Sequence, residues 1–348
     1  MYVFVLLMAY LLLLRFFMGD LSDKRAQKKY LILSAIPIIL IMSLRYHMIY
    51  GVDDPAVYYD FYDSASKLSI KELFNDPFFE PGYILLNKAF ATIIPNPQFI
   101  FFLEALICVS AVCRFIYKNS ESPFFGMLFF LTLGTMTFEY TAFRQGIAMS
   151  ICIFAVEYIK EKKLLPFIIL VLLAATFHKT AVVFLPFYFI AQRKPTLRNI
   201  LLTIAAIIVV IFSASKIIEI GNVLFGMEYR GGYSGNEYGG LVPILIFVIT
   251  LILLLISKDK IDNYIFFNMV VIGFTIYLLR YTTLAAERIS FYFTTGTIVA
   301  LPSAIASFEN KNTRIVIYFF VTSLAIILFL HRLSYMTLAD YRFFWEID

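Results

Sequence analysis

Charge is scarce in this chain. Asp, Glu, Lys and Arg together supply 15% of 348 residues, whereas hydrophobic residues supply 61%, and mean hydropathy is +0.83. A soluble domain carries about 25% charged and 45–50% apolar residues. This chain lacks the polar surface to face water on all sides, which excludes soluble, fibrous and disordered classes. Cysteine is also sparse. Cys108, Cys113 and Cys152 all lie within apolar runs, so they form neither a disulfide framework nor a metal site with a nearby histidine, and they read as packing residues. Residues 1–18 are apolar almost from the start, with no basic leader and no small-residue cleavage site. They read as a first span rather than a cleaved signal. Phosphate-loop, dinucleotide, HExxH and GxSxG patterns are missing, as is any internal repeat of the kind that builds inverted-repeat transporters.

What is present is a series of apolar runs. A spanning helix needs about 20 apolar residues, fewer where the bilayer thins. On that scale the runs fall at 1–18, 30–45, 97–117, 123–143, 145–159, 164–177, 179–192, 198–219, 240–257, 262–282, 288–307 and 314–332. The fold expected is an all-α polytopic membrane bundle of about 12 transmembrane helices, forming a single membrane domain over 1–348. The net charge of +5 points to membrane topology, not to nucleic acid. Its Lys and Arg residues sit in short clusters between apolar runs: Lys24, Arg25, Lys28 and Lys29; Arg114 and Lys118; Lys160, Lys162 and Lys163; Arg193, Lys194 and Arg198; Lys258 and Lys260; Lys311 and Arg314. With these clusters on the cytoplasmic side, one alternating path places the N-terminus and the acidic tail, 339–348, outside.

Segment 82–94 is apolar but short, and prolines bound it at Pro81, Pro95 and Pro97. It reads as a re-entrant or interfacial helix on the outer side, with a short tilted span as the alternative. Two outer loops carry structure. The first, 45–81, contains Ser69-Ile70-Lys71-Glu72, a capping box that predicts a short amphipathic helix. The second, 221–240, is rich in Gly and Tyr and reads as a lid or gate.

Ionisable groups at membrane depth are costly and therefore mark functional sites. Under this topology they gather at the outer end. Arg45, His47, Asp53, Asp54, Asp60 and Glu80 lie in the first outer loop, and Glu139, Arg144 and Gln145 in the next turn. His178 and Lys179 lie in a third turn, and Arg280, Glu287 and Arg288 in a fourth. The cytoplasmic turns carry only solvated lysines and arginines. Arg144 and Arg288 can each present a guanidinium fork to phosphate oxygens of a lipid-linked diphosphate, or simply snorkel to the interface. His178 is suited to general-base work near neutral pH, or to a plain backbone hydrogen bond. Glu287 and the loop carboxylates compete for the base role. Asp53 and Asp54 either hold a divalent ion, hold sugar hydroxyls or pair with Arg45; adjacent carboxylates on extended chain point to opposite faces, which disfavours the ion. Tyr58, Tyr59 and Tyr62 suit a carbohydrate-facing loop or an ordinary interfacial belt. Cytoplasmic loops are too short for an ATP-binding or nucleotide-sugar domain, and a substrate already carried by the membrane would need neither.

The same residues resemble a known family. Leu44-Arg45, Gly51-Val52-Asp53-Asp54 with Tyr58-Tyr59, and Glu80-Pro81-Gly82-Tyr83 with Leu85-Leu86-Asn87 occur in order. Arg144-Gln145-Gly146-Ile147-Ala148, Phe177-His178-Lys179-Thr180-Ala181 and Glu287-Arg288-Ile289 with Tyr292-Phe293 follow. Together they resemble the EpsG family, which groups with the Wzy-type polysaccharide polymerases of bacterial envelopes. The first block departs from the family's Gly-Thr-Asp-Tyr run by reading Gly51-Val52-Asp53-Asp54-Pro55.

The resemblance implies a GT-C-like, cofactor-free and metal-independent inverting glycosyltransferase. It would sit in the bacterial plasma membrane with its active site facing outside. Its substrate would be undecaprenyl-diphosphate-linked oligosaccharide, with a flippase and a chain-length regulator as partners. His178, Arg144, Arg288 and Glu287 are then the catalytic candidates. Arg45, Asp53, Asp54, Tyr58, Gln145, Lys179, Arg280 and Tyr292 are the substrate-binding candidates. A transporter or flippase of lipid-linked sugars, and a ligase that moves finished glycan to another acceptor, are the alternatives. The first would need charges along a two-sided path, and few are found.

Overall fold

The computed structural model describes residues 2–47, 54–213, 241–257, 264–281, 284–335 and 341–346. Its secondary structure is helical throughout, and among the described residues the only β-type pairing is an isolated bridge between Arg45 and Phe343. Among the described residues seventeen helices follow in chain order. They are α1 (Tyr2–Met18), α2 (Lys24–Ser43), α3 (Asp54–Lys67), α4 (Ile70–Leu73), α5 (Pro81–Ile93) and α6 (Phe99–Asn119). Next come α7 (Pro123–Thr132), α8 (Thr135–Glu139), α9 (Phe143–Lys160), α10 (Leu164–Ala175), α11 (Phe187–Ile190) and α12 (Leu197–Phe212). The last are α13 (Leu241–Ser257), α14 (Tyr264–Tyr277), α15 (Leu284–Thr294), α16 (Thr297–Ala306) and α17 (Lys311–Tyr335). Short 3-10 turns at Lys179–Phe184 and Leu278–Tyr281 complete the described elements.

Among the described residues three helices are long and apolar enough to cross a membrane singly: α2, α6 and α17. The pair α15 and α16 adds a fourth span if its 46° bend is counted as one crossing. Tyr2–Met18, Leu164–Ala175 and other apolar helices are shorter. The chain is thus an all-helical membrane protein with fewer straight spans than its apolar runs suggest. Local breaks explain part of the difference. The run 123–143 is cut where Gly134, at φ +101°, ends α7 in the left-handed conformation, the usual stop after a helix C-terminus. The run 288–307 is bent between Thr294 and Thr297. Helix α5 has 13 residues, about 20 Å of length at 1.5 Å per residue, too short to cross a bilayer of about 30 Å upright.

Orientation within the bundle follows from its contacts. Gln98, just before α6, donates to the carbonyls of Ser43 (2.7 Å) and Arg45 (2.8 Å) at the end of α2, while Lys24 at the start of α2 lies over Tyr117 near the end of α6. Helices α2 and α6 are therefore antiparallel. Helices α6 and α9 run parallel. Phe101 meets Phe143 at their starts, and Arg114 and Lys118 meet Glu157 at 2.9 and 3.0 Å near their ends. The basic residues Lys24, Arg114, Lys118 and Lys160 thus share one end. Arg45 and Arg144 lie at the other, about 24 Å from Lys160 along α9 by helix rise.

Helices α3, α4 and α5 form a cap at that second end. The sequence predicts one short helix between 45 and 81. The cap instead holds the 14-residue α3 as well as the single turn α4, whose Ser69–Glu72 capping box is present. Tyr58, Phe61, Tyr62, Leu73, Phe79 and Tyr83 make a separate core that seats the cap on the starts of α6 and α9. Ring pairs such as Phe61–Phe79, with centroids 3.7 Å apart, tie it together. Such pairs contribute about 0.5–1.5 kcal/mol each beyond the area they bury. Phe16, Phe17 and Phe319 stay exposed on the outside of the bundle, where lipid tails solvate them.

Candidate active site

Glu80 is the residue around which the site is built. It occupies the N-cap position of α5, yet its side chain makes no cap bond to that helix. Pro81 follows as the first helical residue and needs no donor partner there, which leaves the carboxylate free to reach across the bundle. Glu80 Oε2 accepts from Arg144 Nη1 at 2.7 Å. Its Oε1 lies 3.1 Å from His178 Nδ1 and accepts from the backbone N–H of Lys179 at 3.2 Å. Three segments far apart in the chain meet on one carboxylate.

Each partner is placed by its own local structure. Arg144 sits in the first turn of α9, where Nη1 also donates to the Phe78 carbonyl at 2.5 Å. The faces of Phe78 and Phe79 pack over its guanidinium at 4.3 and 5.2 Å. His178 lies in the turn after α10, in extended backbone that leads into the 3-10 turn. The start of α5 is docked on this turn, because the Gly82 N–H donates to the Thr176 carbonyl at 2.7 Å. A Cβ at Gly82 would lie 2.8 Å from that carbonyl oxygen, so only glycine permits the approach.

Electrostatics follow from burial and pairing. Burial alone would raise the Glu80 carboxyl, but the hydrogen bond to His178 and the charge of Arg144 outweigh it and hold the group at about 2. Burial lowers the His178 imidazole below its ordinary value, with Glu80 opposing. Near neutral pH the pair is a carboxylate and a neutral imidazole. A carboxylate can only accept, so the imidazole proton sits on Nδ1 and the lone pair on Nε2. Side-chain exposure rises outward through the group, from 5% at Glu80 to 11% at Arg144, 21% at His178 and 45% at Arg288. The imidazole edge is therefore reachable from solvent while its support is dry.

Helix α15 closes the site from the other side. Arg288 Nη2 pairs with Asp54 Oδ2 at 3.2 Å, joining α15 to the first residue of α3. The Arg288 carbonyl accepts from Gln145 Nε2 at 2.7 Å, and Tyr292 shares a hydrogen bond of 3.1 Å with Thr180. Tyr58 is buried and stacks on Phe143 at 4.8 Å, with the Arg144 guanidinium 5.9 Å from its ring.

The predicted residues thus divide. His178, Arg144, Gln145, Arg288, Asp54, Tyr58 and Tyr292 come together at the capped end. Lys179 contributes its backbone N–H, while its side chain is exposed. Glu287 pairs with Arg280 at 3.1 Å, and both line a separate cavity of about 410 Å³ that none of Glu80, Arg144 and His178 lines. Arg45 is 1% exposed and enclosed by Tyr140, Phe101 and Phe143, with its Cζ 3.7 Å from the Tyr140 ring centroid. It supports the floor of the site through Phe143 rather than reaching its opening. Asp53 and the 221–240 loop lie outside the described residues.

The residue whose part the sequence did not single out is Glu80, which figured there only among the loop carboxylates competing for the base role. It stands in the Glu-Pro-Gly-Tyr block, and a carboxylate placed directly before a helix-starting proline was the available signal. Arg332 was passed over too, although it closes the apolar run 314–332 beside His331 and an ionisable residue at membrane depth marks function by default.

A model of the EpsG family matches residues 28–344, a span that contains every residue of the site. No curated protein and no solved structure matches the chain.

Proposed function

The chain belongs to the EpsG family, whose members point to polysaccharide biosynthesis by a polymerase-type glycosyltransferase, and on that premise we propose how its capped end performs such a transfer. The substrates are oligosaccharide repeat units carried on undecaprenyl diphosphate at the outer face of a bacterial plasma membrane. A hydroxyl of the incoming unit attacks the anomeric carbon of the growing chain. The bond from that carbon to the diphosphate oxygen breaks, with inversion, and polyprenyl diphosphate leaves. His178 Nε2 takes the hydroxyl proton as general base.

The observation that carries this reading is the Glu80–His178 contact at 3.1 Å, which fixes one tautomer and leaves the Nε2 lone pair unbonded to any described residue. Glu80 and Arg144 act as positioning residues, since Arg144 is held on Glu80 and the Phe78 carbonyl. Arg288 is the more exposed cation and supplies charge opposite the departing diphosphate, a kind of stabilisation worth several kcal/mol in a dry site. Its contact with Asp54 is half open to solvent and costs little to break, about 0–1 kcal/mol, so substrate can displace it. The transfer needs no metal in this reading. Gln145, Tyr58 and Tyr292 hold the walls, and a flippase supplies the substrate from the inner face.

Purified protein in liposomes, given lipid-linked repeat units from which the glycan can be released and sized, tests the proposal. Wild-type protein lengthens the glycan. His178→Ala inserts normally and leaves single units. Full-length chains from that variant would remove His178 from the mechanism. No lengthening by the wild type, with glycan moved across the bilayer instead, would favour transport over transfer.

A further inference from the structure

The floor beneath the site holds two carboxyls that the transfer does not use. Glu104 of α6 and Glu139, the last residue of α8, are each 1% exposed. They meet at Gly146, which follows Arg144 and Gln145 in the first turn of α9. A Cβ on Gly146 would lie 3.2 Å from Cys108 Sγ, 3.3 Å from Glu104 Oε1 and 3.4 Å from Glu139 Cγ. The missing side chain therefore lets α6, α8 and α9 close on one point. One turn further along, on the same faces, stand Cys108 of α6 and Ser150 of α9. The Ser150 hydroxyl is buried and has no hydrogen-bond partner.

Charge in this seam does not balance if both acids are ionised. Glu104 Oε1 and Glu139 Oε2 accept from no donor. Tyr83 of α5, Cys108 of α6 and Arg45 at the end of α2 face the pair, and Tyr140 and Tyr341 bear on Arg45. Among these groups Arg45 is the one cation, and it acts on Glu104. Glu139 feels the charge of Glu104 and no cation. One arginine balances one carboxylate, and the arginine keeps its proton. A second carboxylate would stand dry beside a like charge, and a buried acid so placed takes up a proton instead. Glu139 ends the five-residue α8, outside the spanning helices. Burial, reinforced by the charge of Glu104, pushes its carboxyl well above the ordinary 4.5. The neutral acid also gains a donor, which two carboxylates cannot offer each other.

We propose that Glu104 and Glu139 form a proton-holding pair, Glu104 charged against Arg45 and Glu139 neutral, which braces from below the turn that carries Arg144 and Gln145. Loss of the proton sets two like charges against Gly146 and drives α6, α8 and the start of α9 apart. Arg144 is tied to Glu80 and Gln145 to the Arg288 carbonyl, each at 2.7 Å, so a shift of their turn disturbs both contacts. Both acids are positioning residues, since neither reaches the opening of the site. The pair itself rests on the fold; only its effect on transfer rests on the reading above.

Infrared spectra of full-length protein in liposomes read the proton directly. Wild type at neutral pH shows the carbonyl stretch of a protonated carboxyl, and Glu139→Gln removes it. The amide of that variant needs no proton to stay neutral. Above 4.5 the unfolded carboxyl sheds its proton while the folded one keeps it, so through this group wild-type stability falls as pH rises and the variant's does not. The folded-to-unfolded ratio of Glu139→Gln should therefore gain on that of the wild type by about tenfold per pH unit, up to the pH at which the wild-type band disappears. Glu104→Gln does the opposite: Arg45 loses its counter-charge, and the protein unfolds more readily than wild type at neutral pH. Glycan lengthening adds a readout that packing alone does not move. Wild-type kcat falls at the alkaline pH where the band disappears, whereas Glu139→Gln carries its rate past that pH. Identical carboxyl bands in wild type and Glu139→Gln overturn the pair, and in a protein that lengthens glycan they leave the polymerase reading intact. The same alkaline limb in both proteins, once the wild-type band is gone, overturns the brace. Conversely, a Glu139 band in a protein that never lengthens glycan keeps the pair and discards the polymerase.

Discussion

Glu80→Gln is the sharpest perturbation of the site, since it alters charge and hydrogen-bond pattern with almost no change of shape. The carboxylate is 5% exposed and accepts from Arg144, His178 and the Lys179 N–H. An amide has one acceptor and one donor group, so in either orientation its NH2 faces a donor. If the carbonyl keeps His178 and Lys179, the NH2 meets Arg144 Nη1. If it keeps Arg144, the NH2 meets the Lys179 N–H. Breaking a buried ion pair by neutralising one partner costs about 3–5 kcal/mol. Arg144 retains the Phe78 carbonyl and its two ring faces, which places the cost at the lower end. An independent route agrees: a carboxyl moved from 4.5 to about 2 corresponds to about 3 kcal/mol of stabilisation of the charged form. The imidazole also loses the acceptor that sets its tautomer, so chain growth should fall by about 10²–10⁴-fold, the usual share of a positioned general base. The measurement pairs initial rates of glycan lengthening with thermal unfolding in the same detergent. Wild-type lengthening with stability lowered by the expected amount would show that Glu80 serves only the fold. Wild-type values of both would refute the ion-pair reasoning altogether.

Gly82→Ala should be as damaging as a change at Glu80 although it carries no chemistry, because its methyl would meet the Thr176 carbonyl oxygen at 2.8 Å and push the start of α5 off the His178 turn. Reduced lengthening together with a lower unfolding temperature is expected, and full activity would show that the α5–α10 contact is dispensable. The rate should depend on pH through His178. Burial lowers its pKa from 6.5, so lengthening should hold steady as pH falls through 6.5 and decline only below it; a midpoint above 6.5 in the rate profile would contradict this. Stability should fall in acid for two reasons of the same sign. An unfolded His178 binds protons more readily than the folded one, and the Glu80 contribution, complete above 4.5, is lost as pH drops toward about 2; unfolding temperature measured across that window checks both.

Membrane residence, the helical class and the types of the polar candidates were legible in the sequence, because hydropathy and ionisable-residue cost act on each segment locally. The Ser69–Glu72 capping box was legible for the same reason, since its two partners are three residues apart. Helix integrity was not. The run 123–143 reads as one span, yet α7 stops at Gly134, whose left-handed backbone and lack of a side chain leave room for the Arg332 guanidinium from α17. Nor did the cap reveal itself fully: α3 mixes polar and aromatic residues, and its helix depends on Tyr58, Phe61 and Tyr62 finding the starts of α6 and α9.

By itself the sequence determined the solvent, the secondary structure and the candidate residue types, all of which follow from composition over about 20 neighbouring residues. Tertiary structure decided which candidates cooperate. It put His178 on Glu80, turned Arg144 from a free cation into a support, and sent Arg280 and Glu287 to a second cavity with Arg332. The pairings on Glu80 join residues 64 to 98 positions apart, a separation at which no local periodicity operates and only packing can choose partners.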